Sequence, residues 1–131
     1  SIFMTKALLN EPAVIYGDGN QSRDFIYVQD VVRANLLAAT TQGAGGQVLN
    51  IGSGKSVAIN QLWETICAMS GRNLKPEYAP RRPGDIVESV AGIESAGKRL
   101  GFECEIPFEK GLEATFEWYR NSQKLENSSQ K

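Results

Sequence analysis

Histidine is absent from this 131-residue chain. Its absence removes the commonest general base and metal ligand, and with them any Ser-His-Asp or Cys-His triad. Cysteine is scarce: Cys67 and Cys104 are too few for a disulfide framework and lack the spacing of metal ligands, so no metal site is expected. No apolar run approaches the roughly 18 residues that cross a bilayer, and the first residues carry no basic stretch leading into an apolar one. No membrane partner is expected, and the chain reads as cytoplasmic. With a formal net charge of −1 there is no excess positive field to gather nucleic acid. What remains is ordinary for a soluble globular domain: 41% hydrophobic and 22% charged residues. The length suits one domain with a modest core.

The pattern along the chain alternates short strands with helices. A helix over 2–9 stops at Asn10 and Pro12, and 13–16 is a short apolar strand. Gly17-Asp18-Gly19-Asn20 has the composition of a turn. Phe25, Ile26 and Val28 predict a second strand, and Asp30 opens a helix to about Thr41 that carries apolar residues on more than one face. A third strand is expected over 47–51. Ile59, Leu62, Trp63, Ile66 and Cys67 fall on one helical stripe. A strand near 77–79, a loop at 80–85, a helix at 93–100 ended by Gly101, and a helix marked by Phe108, Leu112, Phe116 and Tyr119 complete the order. The expected fold class is α/β with α+β character: short strands with about five helices. One unit spans 1–121, and 122–131 reads as a polar, disordered tail.

Three strings carry candidate chemistry. Gly52-Ser53-Gly54-Lys55-Ser56 resembles a phosphate loop, yet Leu49 stands where the pattern needs its first glycine, and Val57 and Ala58 look extended rather than helical. It fails equally as a dinucleotide fingerprint, and a tight turn is the preferred reading. Arg23 lies between the glycine-rich turn and a strand, where its guanidinium can fork onto phosphate oxygens. An Arg23–Asp24 surface ion pair is the plain alternative. Arg81-Arg82-Pro83-Gly84-Asp85 sets two arginines on a stiff loop, suited to an anion or simply to solvent.

The stretch Val14-Ile15-Tyr16-Gly17-Asp18-Gly19, then Gln21, Arg23-Asp24-Phe25-Ile26-Tyr27-Val28 and Asp30-Val31-Val32, resembles the entry to the C-terminal lobe of the NAD-dependent epimerase/dehydratase family. These proteins are extended short-chain dehydrogenase/reductases, and the UDP-sugar 4-epimerases are the members it is most like. The similarity continues in family order through Val48 to Gly54, Arg82 to Asp85, Leu100-Gly101-Phe102 and a final helix with Gly111, Leu112, Thr115, Trp118 and Tyr119. The resemblance implies a UDP or UDP-sugar site. In it the backbone of Val14, Ile15 and Tyr16 meets the uracil, Arg23 and Arg82 hold the pyrophosphate, and Asp85 accepts from the ribose hydroxyls. Two positions depart from the family pattern: Gly92 and Ala58 stand where a polar helix cap is usual.

The family's chemistry uses NAD on a glycine-rich βαβ fingerprint and a Tyr-x-x-x-Lys base, both in an N-terminal Rossmann domain. The four tyrosines here are followed four residues on by Asn20, Val31, Arg82 and Gln123, never by lysine. The expectation is therefore a partial nucleotide-sugar epimerase/dehydratase, catalytically incomplete alone, with no catalytic residue and no NAD bound by these residues. The alternatives are a self-association module without ligand, or half of a split UDP-sugar 4-epimerase. Apolar helix faces and an unpaired strand edge, which the missing lobe would cover, predict a homo-oligomer or a separate Rossmann lobe as partner.

Overall fold

The computed structural model describes the backbone of residues 1–128 and the side chains of residues 1–122. The elements follow in the order α1 (Ile2–Leu9), β1 (Val14–Tyr16), β2 (Ser22–Asp24), α2 (Val28–Thr40), β3 (Ser56–Ala58), α3 (Ile59–Ser70), β4 (Glu77–Ala79), β5 (Glu88–Ser89), α4 (Glu94–Leu100) and α5 (Phe108–Ser128). The mixed α/β class and the short strands agree with the sequence pattern. So do the helix stops, since Asn10, Gly71 and Gly101 each take a left-handed C-cap.

Two small sheets organise the strands. β1 pairs parallel with β4, with Ile15 opposite Tyr78. β2 lies between β3, antiparallel, and β5, parallel. The main core forms where α1, α3 and α5 cover β1: Met4, Ala7, Ile15, Trp63, Ile66, Cys67 and Phe116 are buried together. The α3 stripe read from the sequence faces this core. Trp63 packs edge-on to Phe3 at 5.3 Å and donates its indole N–H to the Leu74 carbonyl at 2.9 Å. A second cluster joins Ala34 of α2 to Ala96 and Leu100 of α4 and to Phe102.

Three expectations are corrected. The strand expected over Phe25, Ile26 and Val28 lies earlier, at Ser22–Asp24, and α2 begins at Val28 rather than Asp30. Phe25 and Ile26 are apolar because they pack, Phe25 against the Phe108 ring at 5.8 Å and Ile26 against the second cluster. Asp30 falls in the first turn of α2, where a carboxylate suits the helix dipole. Residues 47–51 form no strand, although Leu49 and Ile51 pack inward. A strand needs a hydrogen-bonding neighbour, and among the described residues none lies beside this segment; Val48 is 97% exposed. The two-residue β5 has no signal in the sequence because its pairing is set by β2. α5 continues to Ser128, into the 122–131 stretch read as a tail, and residues 129–131 lie outside the described residues.

Candidate functional site

Parallel pairing of β1 with β4 and of β2 with β5 has a geometric consequence. The β1–β2 connection (17–21) and the β4–β5 connection (80–87) both leave one sheet for the other, so they run side by side. Backbone hydrogen bonds fasten them at both ends, from Gly17 N–H to the Ala79 carbonyl at 2.8 Å and from Ser22 N–H to the Val87 carbonyl at 2.8 Å. The glycine turn and the arginine loop, 60 residues apart in sequence, thereby form one surface.

The first loop is closed by its own side chains. Gln21 donates to the Tyr16 carbonyl at 2.7 Å, and the Asn20 amide donates to the Asp18 carboxylate at 3.0 Å, which holds that carboxyl below its ordinary pKa. Gly19 is buried with φ at 78°, and a Cβ there would fall 1.8 Å from Asn60 Oδ1. Only glycine meets both conditions.

The residues expected to hold a nucleotide converge on this surface unevenly. Arg23 donates to Asp85 Oδ1, to the Ile86 carbonyl and to the Ser22 carbonyl, all at 2.7 Å. Both partners of the Arg23–Asp85 pair are partly exposed, at 30% and 28% of their side-chain surface. Arg81 donates to the Asp85 carbonyl at 2.7 Å, and the Arg82 guanidinium lies over the Tyr16 ring at 3.8 Å. Tyr16, Arg23, Arg82 and Asp85 thus share one site, and three guanidiniums outnumber the two carboxylates of Asp18 and Asp85. Val14 lies on the adjacent edge. Ile15 differs: its side chain is in the core, and the β1–β4 ladder takes its alternate register. That ladder uses the Ala13 carbonyl and the Gly17 amide, so the backbone of Val14 and Tyr16 faces away from β4.

Arg23 does not pair with Asp24, the plain alternative in the sequence. The Asp24 carboxylate accepts from the Ser53 amide at 2.8 Å, the Ser53 hydroxyl at 2.6 Å, the Gly54 amide at 3.0 Å and the Ala91 amide at 3.2 Å. Burial pushes this carboxyl up, but these bonds outweigh it and leave the pKa below the usual carboxylate value. This contact also explains the Gly52-Ser53-Gly54 string. The turn aims its amides at an internal carboxylate, and β3 follows it rather than a helix, so it does not fit the pyrophosphate of a dinucleotide.

Sequence reasoning missed Asn60 and Tyr78, which carry no periodic or motif signal; it placed Gln21 in the motif without a role, and it read Asp30 only as a helix opener. Asp30 is 1% exposed and accepts from Arg33 at 3.0 Å, the Ile106 amide at 3.0 Å, the Glu105 amide at 3.3 Å and the Cys104 thiol at 3.3 Å. Burial, reinforced by Asp30, pushes the Cys104 thiol up, and burial does the same to Cys67, which disfavours the thiolate in both. The larger cavity, about 500 Å³, lies elsewhere, between α1, α3, α5 and residues 23–27. A second, about 380 Å³, lies beside Asn50 and Ala91. Arg23 lines both, whereas Tyr16, Arg82 and Asp85 line neither and stand on open surface. The paired loops are the better candidate, because among the described residues they converge the guanidiniums of Arg23, Arg81 and Arg82 on one place.

Known proteins match this arrangement. The NAD dependent epimerase/dehydratase family matches residues 1–52. The UDP-glucose 4-epimerase of Thermotoga maritima, solved with UDP-glucose, is 39% identical, with a TM-score of 0.87 over 93% of this chain and 39% of its own. The UDP-N-acetylglucosamine 4-epimerase of Methanobrevibacter ruminantium, solved with UDP-N-acetylmuramic acid, is 38% identical, with a TM-score of 0.85 over 92% of this chain and 38% of its own. The UDP-glucuronate 4-epimerase of Thermodesulfobacterium geofontis is 35% identical over 88% of this chain and 35% of its own length. The chain therefore spans less than two fifths of each of these relatives. Matching in sequence and in backbone path, the chain belongs to the NAD dependent epimerase/dehydratase family.

Proposed function

We propose that this chain is the nucleotide-sugar-binding part of a UDP-sugar epimerase and that its paired loops hold the UDP moiety. The observation that carries this reading is the convergence of Arg23, Arg82, Asp85 and Tyr16 on loops held side by side by two parallel strand pairings. Forked guanidiniums suit a pyrophosphate, and a partly exposed carboxylate suits a diol. The outward backbone of Val14 and the Tyr16 N–H offer the N–H and C=O pattern that a pyrimidine edge needs, the Tyr16 carbonyl being held by Gln21, and Ile15 contributes only by fixing that edge. Arg23 and Asp85 are paired with each other, so a diphosphate competes for the Arg23 donors while the second Asp85 oxygen stays available.

The 131 residues alone are catalytically incomplete on this reading. None of their tyrosines has the Tyr-x-x-x-Lys spacing, and the glycine turn at 52–54 is committed to Asp24. When bound, NAD supplies the transient oxidation of the sugar; it is held outside these residues. The titration that tests the reading adds UDP, and NAD as a control, to the 131-residue chain in a calorimeter. Saturable UDP binding, weakened about 10- to 100-fold in Arg82→Ala, is expected for the loss of one charged hydrogen bond. No heat at millimolar UDP would sink it.

A second reading rests on a different observation. Val28, Val32 and Leu36 form a stripe on α2 that is more than half exposed, beside the unpaired 47–51 segment. Such a surface suits association with a second copy or with a separate Rossmann lobe. Epimerase activity appearing only on mixing with such a lobe would identify half of a split enzyme.

A further inference from the structure

We propose that Asn60 is the positioning residue of the paired-loop site: it clamps the glycine turn to β4 and so fixes where Tyr16 and Arg23 stand relative to the arginine loop. The inference rests on the nucleotide reading above. Asn60 lies in the first turn of α3, outside both loops and outside every motif in the sequence.

Its amide N–H donates to the Gly19 carbonyl at 3.0 Å, and its side-chain Nδ2 donates to the Asp18 carbonyl at 3.0 Å. Its Oδ1 accepts from the Tyr78 hydroxyl at 3.1 Å. The neighbouring Ile59 amide donates to the Gln21 carbonyl at 3.0 Å. Three of the four carbonyls from Asp18 to Gln21, all but that of Asn20, are thus held by the start of α3. The side chain of Asn60 also reaches β4, the strand that feeds the arginine loop at 80. One amide group therefore bridges the base of both loops. The Asn60 amide is packed so closely against Gly19 that no Cβ fits there, which makes the clamp a close contact and not a loose surface bond.

The orientation of the side chain follows from its partners: a carbonyl needs the NH₂ end and a hydroxyl is satisfied by the oxygen. Aspartate keeps the volume and the Tyr78 bond but cannot donate to Asp18, so Asn60→Asp breaks one arm of the clamp. Tyr78→Phe breaks the other arm and removes only an exposed hydroxyl.

The test measures UDP affinity by calorimetry, and amide hydrogen exchange without ligand, on the 131-residue chain and on both variants. Asn60→Asp is expected to weaken UDP about tenfold, the equivalent of one hydrogen bond. It is also expected to raise exchange at 17–21 while α3 and α5 stay protected. Tyr78→Phe is expected to do the same to a smaller degree, and it carries the test if the aspartate variant does not fold. Unchanged exchange at 17–21, or unchanged UDP affinity, overturns the clamp. Should the parent chain bind no UDP, the nucleotide reading falls and the clamp loses its ligand, while the exchange data still decide whether Asn60 holds the turn.

Discussion

Asp24, half-buried, and Asp30, buried, show at the scale of single residues how a small fold holds internal charge. Each is a carboxylate surrounded by backbone amides from distant loops, and hydrogen bonds hold each pKa below the ordinary value despite burial. A depressed folded-state pKa stabilises the fold above the unfolded value of about 3.9, and this stability is lost as pH falls through the lower folded value. Urea unfolding is therefore expected to be flat from neutral pH to about 5 and to weaken below about 4. Asp24→Asn, which keeps the shape but loses charged acceptance, is expected to cost about 2 kcal/mol at neutral pH and to flatten the acid limb. Neither role was legible in the sequence. Ser53, Ala91, Glu105 and Ile106 are far from these aspartates along the chain, and hydrogen bonding across such gaps leaves no local pattern. Arg23, between a glycine-rich turn and a strand, and Arg82, in a loop of adjacent arginines beside proline and glycine, stood out in the sequence as anion candidates, and the fold sets both on one surface.

At the scale of elements, periodicity decided what could be read. α1, α3, α4 and α5 each turn one apolar stripe to a core, and the asparagine or glycine stops of the first three are local. Strands of three residues have no room for a period, so β2 was displaced by its apolar neighbours Phe25 and Ile26 and β5 was invisible. The 47–51 segment has strand composition without a strand, since pairing depends on a neighbour and not on the segment itself. Gly111 offers a test of packing against propensity in α5. Alanine there gains up to about 1 kcal/mol in helix propensity. Its Cβ, however, would lie 2.7 Å from Tyr27 Cβ, and such overpacking costs about 1–3 kcal/mol. Gly111→Ala is therefore expected to lower the unfolding midpoint in urea, and a raised midpoint would show that Tyr27 moves aside freely.

For the whole molecule, the contacts proposed above fall on two surfaces. One is the charged face of the paired loops. The other is the apolar face of α2 with the 47–51 segment, where Val48 stands 97% exposed. Light scattering at high micromolar concentration is expected to show a dimer or larger species, and Val48→Lys is expected to shift it toward monomer by charging the edge. A monomer in the parent chain would remove the association reading. The nucleotide reading is tested most directly by following backbone amide signals in NMR as UDP is added. Shifts concentrated at 16–23 and 80–86, saturating together, are the expected result. Signals that stay still at millimolar UDP, or that move at 47–51 instead, would contradict a nucleotide site on the paired loops.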